Sequence, residues 1–119
     1  MAENTEINKR KYPRLNIVCP CIVRVGSRDF HGIIRNISRG GLSLESANEL
    51  SEKTSYQISF VLPEGPQIAT TGRIHWSMPQ GNIFVYGLEF ESLGFFKKIS
   101  LNSYINKGIS KSGLTQNII

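Results

Sequence analysis

A membrane-spanning helix needs roughly 20 consecutive apolar residues, and no run in this chain of 119 residues approaches that length. The N-terminal MAENTEINK has no apolar core, so it does not read as a signal peptide. These two absences predict a cytoplasmic protein. Cysteine is scarce: Cys19 and Cys21 are the only two, with a single residue between them, which is not the two-residue gap of a zinc or redox pair. Histidine is equally scarce. His31 and His75 each fall within a predicted strand, with no Cys or carboxylate at metal-ligand spacing nearby. The nine acidic residues are scattered, Glu89 and Glu91 being the closest pair, and alternate strand positions do not by themselves make a general acid and base. No phosphate loop or dinucleotide fingerprint is present. No catalytic residue, metal or cofactor is therefore expected.

Positive charge is in surplus. Fourteen Lys and Arg against nine Asp and Glu leave a formal charge of +5, which favours anionic partners. An apolar share of 39% and a mean hydropathy of −0.18 suit a soluble chain, and the length fits one domain with a single core. There is no internal repeat and no low-complexity segment.

From Leu15 the chain alternates. Ile17, Cys19, Cys21, Val23 and Val25 form an apolar face, with both cysteines in the wall and Pro20 marking an edge or a bulge. Gly26-Ser27-Arg28-Asp29 reads as a turn into FHGIIRN. A break at Gly40-Gly41 precedes a strand carrying Leu42 and Leu44. A polar interval through Lys53 leads to SYQISFVLP, then come a turn at Pro63-Glu64-Gly65-Pro66, QIATTGRIHW, a turn at Met78-Pro79-Gln80-Gly81, and NIFVYGLEF. Six short strands punctuated by turns predict a small antiparallel β-barrel, an all-β fold. After Phe90 the alternation is lost, predicting an α-helix capped by Ser92 and ending near Gly108. We expect a flexible tail over 1–8, the domain over 9–106 and a second flexible tail over 107–119.

Two short motifs carry chemistry. KRKYPR, residues 9–14, places four positive charges in six residues. Pro13 fixes φ and disfavours helix at Tyr12, so the segment is extended or turned. Arg10 and Arg14 then stand up to about 13 Å apart, each offering a planar donor fork to phosphate or to the acceptor edge of guanine. Read alone, the segment is more simply a solvated basic arm. The second motif, Asn36-Ile37-Ser38-Arg39-Gly40-Gly41, puts an amide and a hydroxyl two residues apart where a strand ends, on one side by alternation, before glycines that permit close backbone approach. Read alone, it is also what any tight turn selects.

Together, Arg10-x-x-x-Arg14 and Asn36-x-Ser38-x-x-Gly41 resemble the signature of the PilZ family of bacterial cyclic di-GMP receptors. GRIHW (72–76) and YGLEF (86–90) are similar to the family's later strands. The resemblance implies a six-stranded antiparallel barrel with a C-terminal helix and a non-enzymatic single-domain sensor of this second messenger, which changes conformation and contacts with a protein partner. It further implies that Arg10 and Arg14 clasp the ligand from the loop before the first strand, that Asn36 and Ser38 face guanine and phosphate, and that Gly41 leaves room for the ligand or fixes the loop. Lys9, Arg35, Arg39 and Gly40 are secondary candidates. Asn36 stands where the signature also admits Asp, which would offer charged acceptors to guanine N1–H and N2–H₂, so a shallower guanine contact is expected here. Tyr12 and Trp76 are read as core or rim packing. The rival readings are a basic barrel binding single-stranded nucleic acid and a ligand-independent adaptor of the same fold, against which the intact arginine pair argues.

Overall fold

A computed structural model describes residues 13–118. Six strands come in chain order: β1 (Leu15–Val25), β2 (Arg28–Ile37), β3 (Gly41–Ser46), β4 (Ser55–Val61), β5 (Gln67–Gln80) and β6 (Ile83–Phe90), followed by helix α1 (Phe95–Ile118). All pairings are antiparallel, and the strands close into a barrel in the order β1-β2-β3-β6-β5-β4. The expected six-stranded barrel with a C-terminal helix is thus the observed fold.

Two turns are tighter than expected. Val25 pairs with Arg28, so Arg28 and Asp29 belong to β2 and only Gly26 and Ser27 turn, with Gly26 at φ 63°. Likewise Gln80 pairs with Ile83, which places Met78, Pro79 and Gln80 in β5 and leaves the turn to Gly81 (φ 60°) and Asn82. In each case a glycine in the left-handed region lets a two-residue turn follow the twist of the strands.

The barrel interior is filled by alternate residues, among them Cys21, Val23, Leu44, Phe60, Ile68 and Ile74. Both cysteines are free and buried in the wall, as the alternation predicted. Burial pushes the Cys21 thiol up to about 12, and Cys19 beside it adds to the effect against a backbone hydrogen bond at Gly32. Pro20 follows an irregularity between Asn16 and Cys19 and lies one residue outside the β1–β4 ladder, where its missing N–H costs no bond. The polar interval between β3 and β4 hides one core residue, Leu50. Its N–H donates to Tyr86 Oη at 2.7 Å, and that hydroxyl donates to the carbonyl of Asn48 at 2.8 Å.

The helix differs from expectation at both ends. The N–H of Lys98 donates to the carbonyl of Gly94, so Gly94 rather than Ser92 occupies the capping position. Gly108 does not end the helix, which continues to Ile118. Instead Gly108 faces the start of β1, where an added Cβ would come within 2.5 Å of Leu15 Cδ2. Leu101 and Ile105 are buried in the core, Tyr104 Oη donates to the carbonyl of Pro63 at 2.8 Å, and Lys97 Nζ donates to that of Gln67 at 2.7 Å. Helix α1 therefore crosses the barrel end at which β1 and β5 begin.

Candidate ligand site

Arg14 is the last residue before β1, exposed, and preceded by Pro13. Its Nη1 donates to Asn36 Oδ1 at 2.6 Å. This bond joins the two sequence motifs at the same barrel end that α1 crosses.

The position of Asn36 depends on a β-bulge. Between Ile34 and Asn36 the β2–β3 register shifts, with Arg35 as the additional residue. Ile34 and Ile37 are three apart and would face opposite sides of a regular strand, yet both are fully buried. The bulge restores the core face at Ile37 and turns Asn36 outward.

Beyond Ile37 the chain closes a short loop. The Ser38 N–H donates to the carbonyl of Gly41 at 2.8 Å, while the Ser38 hydroxyl accepts from the Gly40 N–H at 3.2 Å and lies 3.4 Å from that same Gly41 carbonyl. Ser38 is 5% exposed. Strand alternation ends at Ile37, so Asn36 and Ser38 do not share an outward face as expected: the hydroxyl is directed into the loop. The Phe90 N–H donates to the Gly40 carbonyl at 3.0 Å, tying the loop to the end of β6. Gly41 fixes the loop against β6, because a Cβ there would run into the backbone carbonyl of Leu88.

Of the secondary candidates, Arg35 pairs with Glu45 (Nε to Oε1, 3.2 Å), which directs its charge along the β2–β3 surface. Arg39 is exposed at the loop tip. Lys9 and Arg10 lie outside the described residues, as does Tyr12.

The ladders reveal a row that the sequence did not. Asn16 pairs with Asn36, Asn36 with Ser43, Ser43 with Gly87 and Gly87 with Trp76. Directly paired residues share a face, and this face is the outer one, since the flanking Leu42, Leu44 and Leu88 point into the core. A Cβ at Gly87 would collide with the Trp76 indole, so the ring lies over bare backbone, 45% exposed. Trp76 is thus not a core residue. Ser43 is itself buried, at 9% exposed, so the Arg14 guanidinium, the Asn36 amide and the Trp76 indole are the groups that line this strip of barrel surface, a set suited to a planar, polar, anionic ligand. Ser43 and Gly87 gave no signal in the sequence because bulges at Arg35 and His75 set which residues meet.

A family model described as PilZ domain matches residues 8–107. The chain belongs to the PilZ family. The matched range contains both Arg10-x-x-x-Arg14 and Asn36-x-Ser38-x-x-Gly41. Among solved structures, the inhibitor of motility MotI/DgrA of Bacillus subtilis is similar at a TM-score of 0.72 and 23% identity, covering 82% of this chain and 50% of that one. The PilZ domain of YcgR from Escherichia coli, solved with c-di-GMP, gives 0.75 at 12% identity, covering 93% and 99%. The MrkH–c-di-GMP complex of K. pneumonia gives 0.75 at 13% identity, covering 87% and 53%. At these identities the likeness is one of fold, and this PilZ chain spans about half the length of MotI/DgrA and MrkH. A search of curated proteins finds no match.

Proposed function

We propose that this PilZ protein is a non-enzymatic receptor for cyclic di-GMP, which reports the messenger by changing its contacts with a protein partner. The observation that carries this reading is the Arg14–Asn36 hydrogen bond, because it assembles the two halves of the signature into one cationic, donor-rich corner. YcgR and MrkH, similar in fold, have structures with c-di-GMP.

The chemistry suits the ligand. A guanidinium carries five N–H donors in a planar fork, so one side chain accommodates both a bond to Asn36 and a contact with a phosphate or with guanine O6 and N7. Arg14 is the anchor in this reading, and Arg10, four residues earlier in the sequence, supplies the second guanidinium. Asn36 presents its amide to the guanine edge. Ser38 acts through the loop it braces, and Trp76 offers a stacking surface at the far end of the strip. Contacts that the two arginines make only with bound dinucleotide supply the differential affinity that a switch requires.

Calorimetric titration with cyclic di-GMP tests the proposal, with GTP and a short single-stranded oligonucleotide as controls. Saturable binding of one or two cyclic dinucleotides is expected. Length-dependent oligonucleotide binding with a steep salt slope would transfer the chain to the nucleic-acid class, and no binding of any of the three would leave an adaptor.

A further inference from the structure

The first turn of α1 carries an apolar cluster that the barrel does not use. Phe95, Phe96 and Ile99 are 71%, 80% and 53% exposed. The core-facing stripe of the helix is Leu101, Tyr104, Ile105, Gly108 and Ile109, spaced for one helical face. At about 100° per residue, Phe95, Phe96 and Ile99 project from the opposite side. The Phe95 and Phe96 rings meet edge to face at 5.5 Å, packing on each other instead of on the core.

The charge that the helix itself brings to this cluster has one sign. Residues 92–119 include four lysines and no Asp or Glu. Lys97 and Lys98 directly follow the phenylalanines, and Lys97 is held beside them by its bond to the Gln67 carbonyl. Between the 38–41 loop and α1 lies a groove of about 460 Å³ lined by Arg39 and Lys98. Its single carboxylate, Glu91, accepts a hydrogen bond from Ser55.

We propose that this turn seats the protein on a bilayer surface carrying anionic lipid, with Phe95, Phe96 and Ile99 entering the interfacial region and the lysines contacting headgroups. Projecting apolar side chains flanked by cations are the composition of an interfacial anchor. Three projecting side chains are far fewer than the roughly 20–30 residues a side of a standard protein interface, and the helix carries no carboxylate to repel anionic headgroups. No helix among the described residues is long and apolar enough to cross a membrane, so the association is peripheral. The proposal does not depend on cyclic di-GMP binding.

The test is flotation of the full chain with vesicles of phosphatidylcholine and phosphatidylglycerol in equal parts, and with phosphatidylcholine alone. The wild-type chain should float with the anionic vesicles and much less with the neutral ones. The double substitution Phe95→Ser/Phe96→Ser should lower partitioning by about tenfold or more, with an unchanged circular dichroism spectrum and melting curve because both rings are exposed. Lys97→Gln/Lys98→Gln should weaken anionic binding alone. A wild-type chain that stays in solution with both vesicle types overturns the proposal and leaves the cluster to a protein partner. Undiminished flotation of the double serine variant overturns it as well, since attraction would then be charge alone. Calorimetry with cyclic di-GMP on the same preparations reports the other reading separately.

Discussion

Arg14 Nη1 and Asn36 Oδ1 lie 2.6 Å apart, and the two residues come from the segments that flank the start of β1 and the end of β2. A polar contact laid across a bulged strand pair therefore joins the two halves of the candidate site.

Arg14→Ala should weaken cyclic di-GMP binding by about 1.5–3 kcal/mol, the usual range for a hydrogen bond to a charged group, or roughly 10- to 150-fold. Arg14 is exposed, so the melting temperature should barely move. Calorimetry and a thermal melt on one preparation check both. Full affinity would remove Arg14 from the site.

Asn36→Asp should tighten binding. The added charge strengthens the contact to guanine N1–H and N2–H₂, and it also strengthens the bond to Arg14, which competes. An exposed ion pair contributes about 0–1 kcal/mol, less than the roughly 1.5–3 kcal/mol of a charge-assisted ligand contact. The ligand contact should prevail. Calorimetry showing equal or weaker affinity would refute the guanine assignment.

Ser38→Ala should act on stability first. Its buried hydroxyl accepts from the Gly40 N–H, and leaving a buried donor unpaired costs about 1–3 kcal/mol. Denaturant unfolding should show the loss, and affinity should fall with it as the loop loosens. If the variant unfolds like wild type yet loses affinity, the hydroxyl contacts the ligand directly.

Trp76 is the only tryptophan, so its fluorescence reports the strip of outer surface that it shares with Asn36. Saturating cyclic di-GMP should shift or quench its emission, and Trp76→Ala should cost about 1–3 kcal/mol, the scale of base–aromatic stacking. Emission that is indifferent to ligand would confine the site to the arginine end of the row.

Stability should decline in alkali. Burial raises the Cys21 thiol to about 12 from 9.0, so between those values the unfolded chain loses a proton that the folded chain keeps. The unfolded state then binds fewer protons, and unfolding free energy falls as pH rises. Burial raises Cys19, Tyr86 and Tyr104 too, in the same sense. Urea midpoints measured from neutral pH upward should drop above about pH 9, and Cys21→Ala should flatten part of that slope.

The barrel was legible because alternation survives in most strands and turns carry their glycines; the signature was legible because its spacing is local. What escaped was set by register. The bulges at Arg35 and His75 have no local marker, yet they decide that Asn36, Ser43, Gly87 and Trp76 share a row. Glycine misled at Gly108, where the missing side chain accommodates Leu15 rather than a left-handed helix end. Ser92 fits a capping pattern, but the backbone places the cap at Gly94.

Closure of the barrel has a consequence for solubility and for recognition. With β4 hydrogen-bonded to β1 as well as to β5, the described strands leave open backbone only where one overruns its neighbour, as at Trp76–Gln80 of β5, which pair with β6 alone. Strand addition by a partner peptide and edge-to-edge aggregation both need such a template. Recognition by this molecule therefore falls mainly to side chains displayed on its surface, with the short overrun of β5 as one stretch of described strand open to pairing.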